Sequence, residues 1–177
     1  GCRNWPEIAR MAEMAERRAG LRDGEIPMLL NGDLLLGAVR RKPRAGSAYV
    51  KISDGCDAAC AFCAIPQIKG PHRSKPMAQV LEEVRQLVEG GATEVVLVGQ
   101  DTTAYGLDRG ERDGLAELLR QITEGVPDLR WLRILYLYPQ RITAGLLEAM
   151  AGLPPVCKYV DIPLQHTHPS VLRRMRR

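Results

Sequence analysis

The chain has 177 residues, 45% of them apolar and 26% charged, with a formal net charge of +4. That suffices for one domain with a real core, or one and a half small ones, and the mild basic excess does not by itself imply nucleic acid. Five cysteines, three of them clustered, exclude a secreted disulfide framework as the natural reading and favour a reducing compartment and a metal. No apolar leader opens the chain, and the apolar stretch 28–36 is broken by Asn31-Gly32-Asp33, so no membrane contact and a cytoplasmic location are expected.

Residues 5–20 read as an amphipathic helix, with Ile8, Met11, Ala12, Ala15 and Ala19 on one face and Gly20 as its stop. Residues 26–39 suit a hairpin turning at Asn31-Gly32. The basic stretch 40–47, with Pro43 and Gly46, suits a linker. Residues 1–44 are therefore expected to be the end of a preceding domain or a linker, and 45–177 a separate core unit. The first residue is not Met and the last run, Arg173-Arg174-Met175-Arg176-Arg177, has no capping Gly or Pro, so a piece of a longer protein is expected. Both basic runs read as solvated linker or helix faces in preference to contact patches for RNA or a ribosomal surface.

From residue 48 the pattern becomes regular. Strands are expected over 48–52, 94–99, 132–137 and 158–162, and helices over 77–89, 115–122, 144–150 and 170–176. Strands alternating with helices predict parallel βα units in an α/β fold, either an open sheet or part of a barrel. Functional residues then belong on loops after the strands' C-terminal ends. The polar motifs fall there: the cysteine loop after the first strand, Gln100-Asp101-Thr102 after the second, Tyr138-Pro139-Gln140-Arg141 after the third, and Gln165-His166 after the fourth.

Cys56, Cys60 and Cys63 stand within eight residues. Three thiols can converge on one small object, and three is one fewer than a closed structural zinc site or a saturated iron–sulfur cube requires. A cube held by three thiolates leaves one iron open to a small molecule. The alternative is a non-catalytic zinc-binding module completed by His72 or Cys157, whose fourth ligand the sequence places poorly. Cys157 otherwise reads as a small apolar core residue at a strand start, and Cys2 is given no role. His72 lies in a loop with no visible partner, and His166 and His168 read as surface or packing residues.

The loop Cys56-x-x-x-Cys60-x-Phe62-Cys63 resembles the cluster loop of the radical S-adenosylmethionine enzymes. Four further segments narrow the resemblance to their methylthiotransferases: Ile65-Pro66, Gly99-Gln100-Asp101-Thr102-Thr103-Ala104-Tyr105-Gly106, Leu135-Tyr136-Leu137-Tyr138-Pro139 and Asp161-Ile162-Pro163-Leu164-Gln165-His166. The match runs over about residues 45–177 and is most like the branch that modifies an aspartate of a small-subunit ribosomal protein. The sister branch, which acts on a tRNA adenosine, usually carries Gly-Gln-Asn-Val-Asn-x-Tyr where this chain has Gln100 to Gly106. Lys69-Gly70 and Ser74-Lys75-Pro76 depart from the family's Arg-Gly and Ser-Arg-Pro, which puts substrate contacts by that loop in doubt.

The resemblance implies a partial (β/α) radical barrel of about four of six βα units. Cys56, Cys60 and Cys63 would hold a 4Fe–4S cluster whose open iron binds S-adenosylmethionine, the source of a 5′-deoxyadenosyl radical. Phe62 would flank the adenine, Gln100 and Asp101 would bind methionine or ribose groups, and Gln165 and Asp161 rank below them. Ordinary loop packing for Phe62, and capping of the next turn for Asp101, are the plain alternatives. No catalytic residue is assigned. The resemblance also implies a second 4Fe–4S cluster in a domain ahead of this one, an electron donor such as flavodoxin or ferredoxin, and a ribosomal small-subunit protein as substrate. A tRNA partner follows only under the alternative branch.

Overall fold

A computed structural model describes residues 46–177. The helix expected over 5–20, the hairpin over 26–39, Cys2 and most of the linker 40–47 lie outside the described residues.

The strands in chain order are β1 (Ser47–Lys51), β2 (Ser53–Asp54), β3 (Arg73–Ser74), β4 (Glu94–Val98) and β5 (Trp131–Ile134). β1, β4 and β5 form a parallel sheet in that order, and β2 pairs antiparallel with β3. Register aligns Ala48 with Val95 and Leu132, and Val50 with Leu97 and Ile134. Because strand side chains alternate, these two rows share one face. All six belong to the apolar core. Tyr49, Val96 and Arg133 form the intervening row on the opposite face.

The helices are α1 (Ile65–Lys69), α2 (Met77–Glu89), α3 (Gly114–Gly125), α4 (Ala144–Gly152) and α5 (Pro169–Met175), of which α2, α3 and α4 cover the core face. α2 presents Val80, Val84 and Leu87 at helical spacing, and α3 presents Leu115, Leu118, Leu119 and Ile122. Fully burying one such side chain contributes about 1.5–3 kcal/mol. α4 begins at Thr143, whose Oγ1 accepts from Leu146 N at 3.1 Å, a side-chain cap for an otherwise orphaned donor. α1, which the sequence did not announce, opens right after the cysteines with Pro66 in its first turn.

The fourth expected strand is a correction. Residues 158–162 form no ladder; an isolated parallel bridge between Leu132 and Val156 joins the preceding residues to the outer edge of β5, and Arg133 of β5 lies over the Tyr159 ring. β5 itself stops at Ile134, short of the expected residue 137, because Tyr136 adopts φ +61 and turns the backbone out of line. Asp161 then accepts from Leu137 N through its carbonyl and from Tyr136 N through its carboxylate, both at 2.9 Å. The three complete strand–helix units and this fragmentary fourth agree with a partial (β/α) barrel. Cys157 is correspondingly half-buried rather than a core residue of a strand.

Candidate functional site

The loops expected to carry function meet at the C-terminal end of the sheet. Gly55 turns the chain into the cysteine loop at φ +77, and a Cβ there would lie 2.2 Å from the carbonyl oxygen of Pro71. Only glycine fits that close approach. Four hydrogen bonds fix the loop. Cys56 N donates to Gly70 O (3.2 Å), Asp57 Oδ1 accepts from His72 N (3.0 Å), Cys63 N donates to Cys60 O (3.1 Å) and Ala61 N donates to Met175 O (2.9 Å). The loop is irregular, yet its course is specified.

Cys56, Cys60 and Cys63 are free and partly exposed. The amide of Ala58 donates to Cys56 Sγ at 3.4 Å. Burial pushes the Cys56 thiol above its ordinary value; the Ala58 amide and Arg141 pull the other way, while Asp101 and Cys60 add to the rise. Cys56, Cys60, Asp101 and Arg141 therefore share one electrostatic neighbourhood. Three free thiols could supply three of the four ligands that a 4Fe–4S cluster takes.

Asp101 is 2% exposed and fully engaged. One carboxylate oxygen pairs with the Arg141 guanidinium, and the other accepts from Thr103 Oγ1. Thr103 Oγ1 in turn accepts from Tyr138 N at 3.1 Å, which ties the loop after β4 to the loop after β5. Gln100 differs: its Oε1 is buried without a hydrogen-bond partner among the described residues. Such an orphaned acceptor is costly unless a donor arrives. Phe62 is half-exposed on the cysteine loop, and Gln165 is exposed with φ +71. The backbone at Tyr136 and Gln165 is thus strained where the loops converge.

Several residues that sequence reasoning missed or misjudged support this corner. Lys75 does not face a substrate: its ammonium is buried and paired with Glu83 of α2. The Tyr105 hydroxyl donates to Lys75 O at 2.8 Å, and Lys75 N donates to Ile52 O at 2.7 Å. Glu83 left a signal, a carboxylate on the apolar stripe of α2. The partner of Arg141 left none. His72 is buried, with Nε2 3.2 Å from Ser74 Oγ, so the expectation of no partner is corrected. His168 is exposed and its Nδ1 accepts from Ser170 N to cap α5. Arg173, Arg174 and Arg176 are exposed as expected, but Arg177 turns inward onto Cys60. Among the described residues no group of three His, Cys, Asp or Glu side chains is placed to hold a single metal ion.

A model of the radical SAM superfamily matches residues 50–177. The chain belongs to this superfamily, whose enzymes use a 4Fe–4S cluster with S-adenosylmethionine. Within it, the sequence aligns with methylthiotransferases of the RimO type. The ribosomal protein uS12 methylthiotransferase RimO of Herpetosiphon aurantiacus is 52% identical over 147 residues, covering 82% of this chain and 31% of the relative. That of Roseiflexus castenholzii is 41% identical across 100% of this chain and 42% of its own length. The chain thus spans between about a third and two fifths of these curated relatives. Among solved structures, the radical S-adenosylmethionine methyltransferase TsrM from Kitasatospora setae superposes with a TM-score of 0.57 at 20% identity, over 72% of this chain and 24% of that one. That likeness concerns the fold alone. No helix among the described residues is long and apolar enough to cross a membrane.

Proposed function

We propose that this chain carries the radical-generating portion of a methylthiotransferase acting on the β-carbon of an aspartate in a small-subunit ribosomal protein. In this reading residues 45–177 are the radical unit and 1–44 lead into it. The observation that carries the reading is the set of three free thiols on an anchored loop, beside the unpartnered Gln100 Oε1 at the next strand end. When bound, the cluster and S-adenosylmethionine supply reductive cleavage of a sulfonium, and with it a radical able to take hydrogen from an unactivated C–H bond.

The chain's own residues bind and orient. Cys56, Cys60 and Cys63 hold the cluster. Gln100 offers its free acceptor to an ammonium or ribose hydroxyl of the cofactor. Asp101, already satisfied, acts by fixing the Gln100 backbone through Arg141 and Thr103. Phe62 and Gln165 stand exposed around the opening, where they fit the adenine and the polar rim. A second cluster on another domain, an electron donor such as flavodoxin or ferredoxin, and a cytoplasmic location complete the proposal. The relatives' names supply the ribosomal protein as target; the Gln100 to Gly106 segment supports it over tRNA.

Anaerobic reconstitution with iron and sulfide tests the cluster. Iron and acid-labile sulfide should load in equal amounts, and Cys60→Ala should lose nearly all of both. Zinc bound without sulfide, or full loading of Cys60→Ala, would sink the assignment. For the target, the full-length parent protein, which carries the further domain that this chain alone does not supply, is incubated with the ribosomal protein and with tRNA, and the methylthio mass gain should appear on the former.

A further inference from the structure

We infer that Arg177 compensates the charge of the cluster at Cys60 and sets its reduction potential, an inference that rests on the cluster reading above. The backbone brings it there. α5 ends with Arg176 in the left-handed region at φ +54, and Arg177 N donates to Leu172 O at 3.0 Å, turning the last residue back over the helix end. The same turn receives the cysteine loop, since Ala61 N donates to Met175 O.

The guanidinium is held on three sides. Its Nη1 lies 3.8 Å from Cys60 Sγ, Nη2 donates to Pro163 O, and Cζ sits 4.2 Å from the centroid of the Tyr138 ring. Its Nε is buried with no hydrogen-bond partner among the described residues. Among the described residues no carboxylate lies within ion-pair distance of Arg177. The contrast is Arg141, 5.2 Å from the same ring, whose charge Asp101 cancels. A partly buried, uncancelled cation calls for an anion, and the group beside it is a thiol that becomes an anionic ligand. A cluster bound by three thiolates gains one further negative charge when reduced. A fixed positive charge and an N–H donor at sulfur both favour that reduced form.

The test is a dithionite redox titration of the anaerobically reconstituted chain, read by the electron paramagnetic resonance of the reduced cluster. Arg177→Gln should lower the reduced-to-oxidised ratio at fixed potential about tenfold, which is a 59 mV fall for a one-electron couple. Arg177→Lys, which keeps charge but loses the fork, should fall less. Arg173→Gln, exposed on the same helix, should not shift. Iron and sulfide counts accompany every variant. A fully loaded Arg177→Gln with an unchanged midpoint overturns the inference while leaving the cluster reading intact. An unsubstituted chain that takes up no sulfide overturns the cluster reading itself. Should Arg177→Gln load nothing, the midpoint of Arg177→Lys decides: lowered supports the inference, unchanged overturns it.

Discussion

The buried charges beneath the cysteine loop are paired, whereas several polar atoms around it, with Ser53 Oγ and His72 Nδ1 at β2 and β3, have no hydrogen-bond partner among the described residues. Beneath it, Lys75 pairs with Glu83, Asp101 with Arg141 and Thr103, and the Tyr105 hydroxyl with Lys75 O. Around it, three thiols are free, Gln100 Oε1 and Arg177 Nε are buried without partners, and Phe62 is half-exposed. Native interiors leave few polar atoms orphaned, so their concentration at one end of the sheet marks where a polar ligand belongs. The lower region supplies rigidity to the upper one. A site held on satisfied, buried supports keeps its geometry without needing the ligand to impose it.

Removing Glu83 should break that division with the largest effect. Glu83→Ala leaves the Lys75 ammonium buried and unpaired, at a cost of about 3–5 kcal/mol. Replacing the pair together, Lys75→Met with Glu83→Leu, should return most of the loss, because two apolar side chains need no counter-charge. Urea unfolding of the three chains measures it. A loss below about 1 kcal/mol for Glu83→Ala would show that the lower region is not the rigid one.

Gly55 sits at the joint between the regions. Gly55→Ala places a methyl against Pro71 O and strains a left-handed residue, so about 1–3 kcal/mol is expected. The sharper result is in loading: the thiols should move and iron uptake fall by more than the stability loss accounts for. Normal loading with normal stability would mean that the loop's course does not depend on this turn.

Much of the scaffold was legible because it follows from periodicity. The stripe Val80, Val84 and Leu87 and the run Val95-Val96-Leu97 each carry one physical signal, burial at a fixed spacing. α2 begins and ends where that signal does. The expected fourth strand misled for a related reason. Tyr159, Val160 and Ile162 have the composition of a strand, but composition does not reveal that Tyr136 turns its neighbour away or that Asp161 spends its hydrogen bonds on that turn. The thiols were legible because spacing alone groups them. The partners of Arg141 and Arg177 were not, since an arginine's partner is set by which loops the fold brings together, and the basic terminus read as solvated throughout.

The contact between the two regions and the outer loop is weaker, and pH separates it from the rest. Asp108 accepts from Ser74 N at 2.9 Å and from Ser74 Oγ, joining the turn after β4 to β3 just below the cysteine loop. Burial alone would push its carboxyl up; the two Ser74 hydrogen bonds, with Arg109 and His72, outweigh that and hold it below the ordinary carboxylate range. A depressed folded-state value means the contribution is complete above the unfolded value near pH 4 and is lost as pH falls through the folded one. The group is mostly exposed, so screening limits the effect to below about 1 kcal/mol. The stability gap between the unsubstituted chain and Asp108→Asn should therefore be constant from neutrality to about pH 5 and close at lower pH. A gap that widened on acidification would mean that Asp108 is held protonated in the fold, and that the outer loop is tied down by something other than this carboxylate.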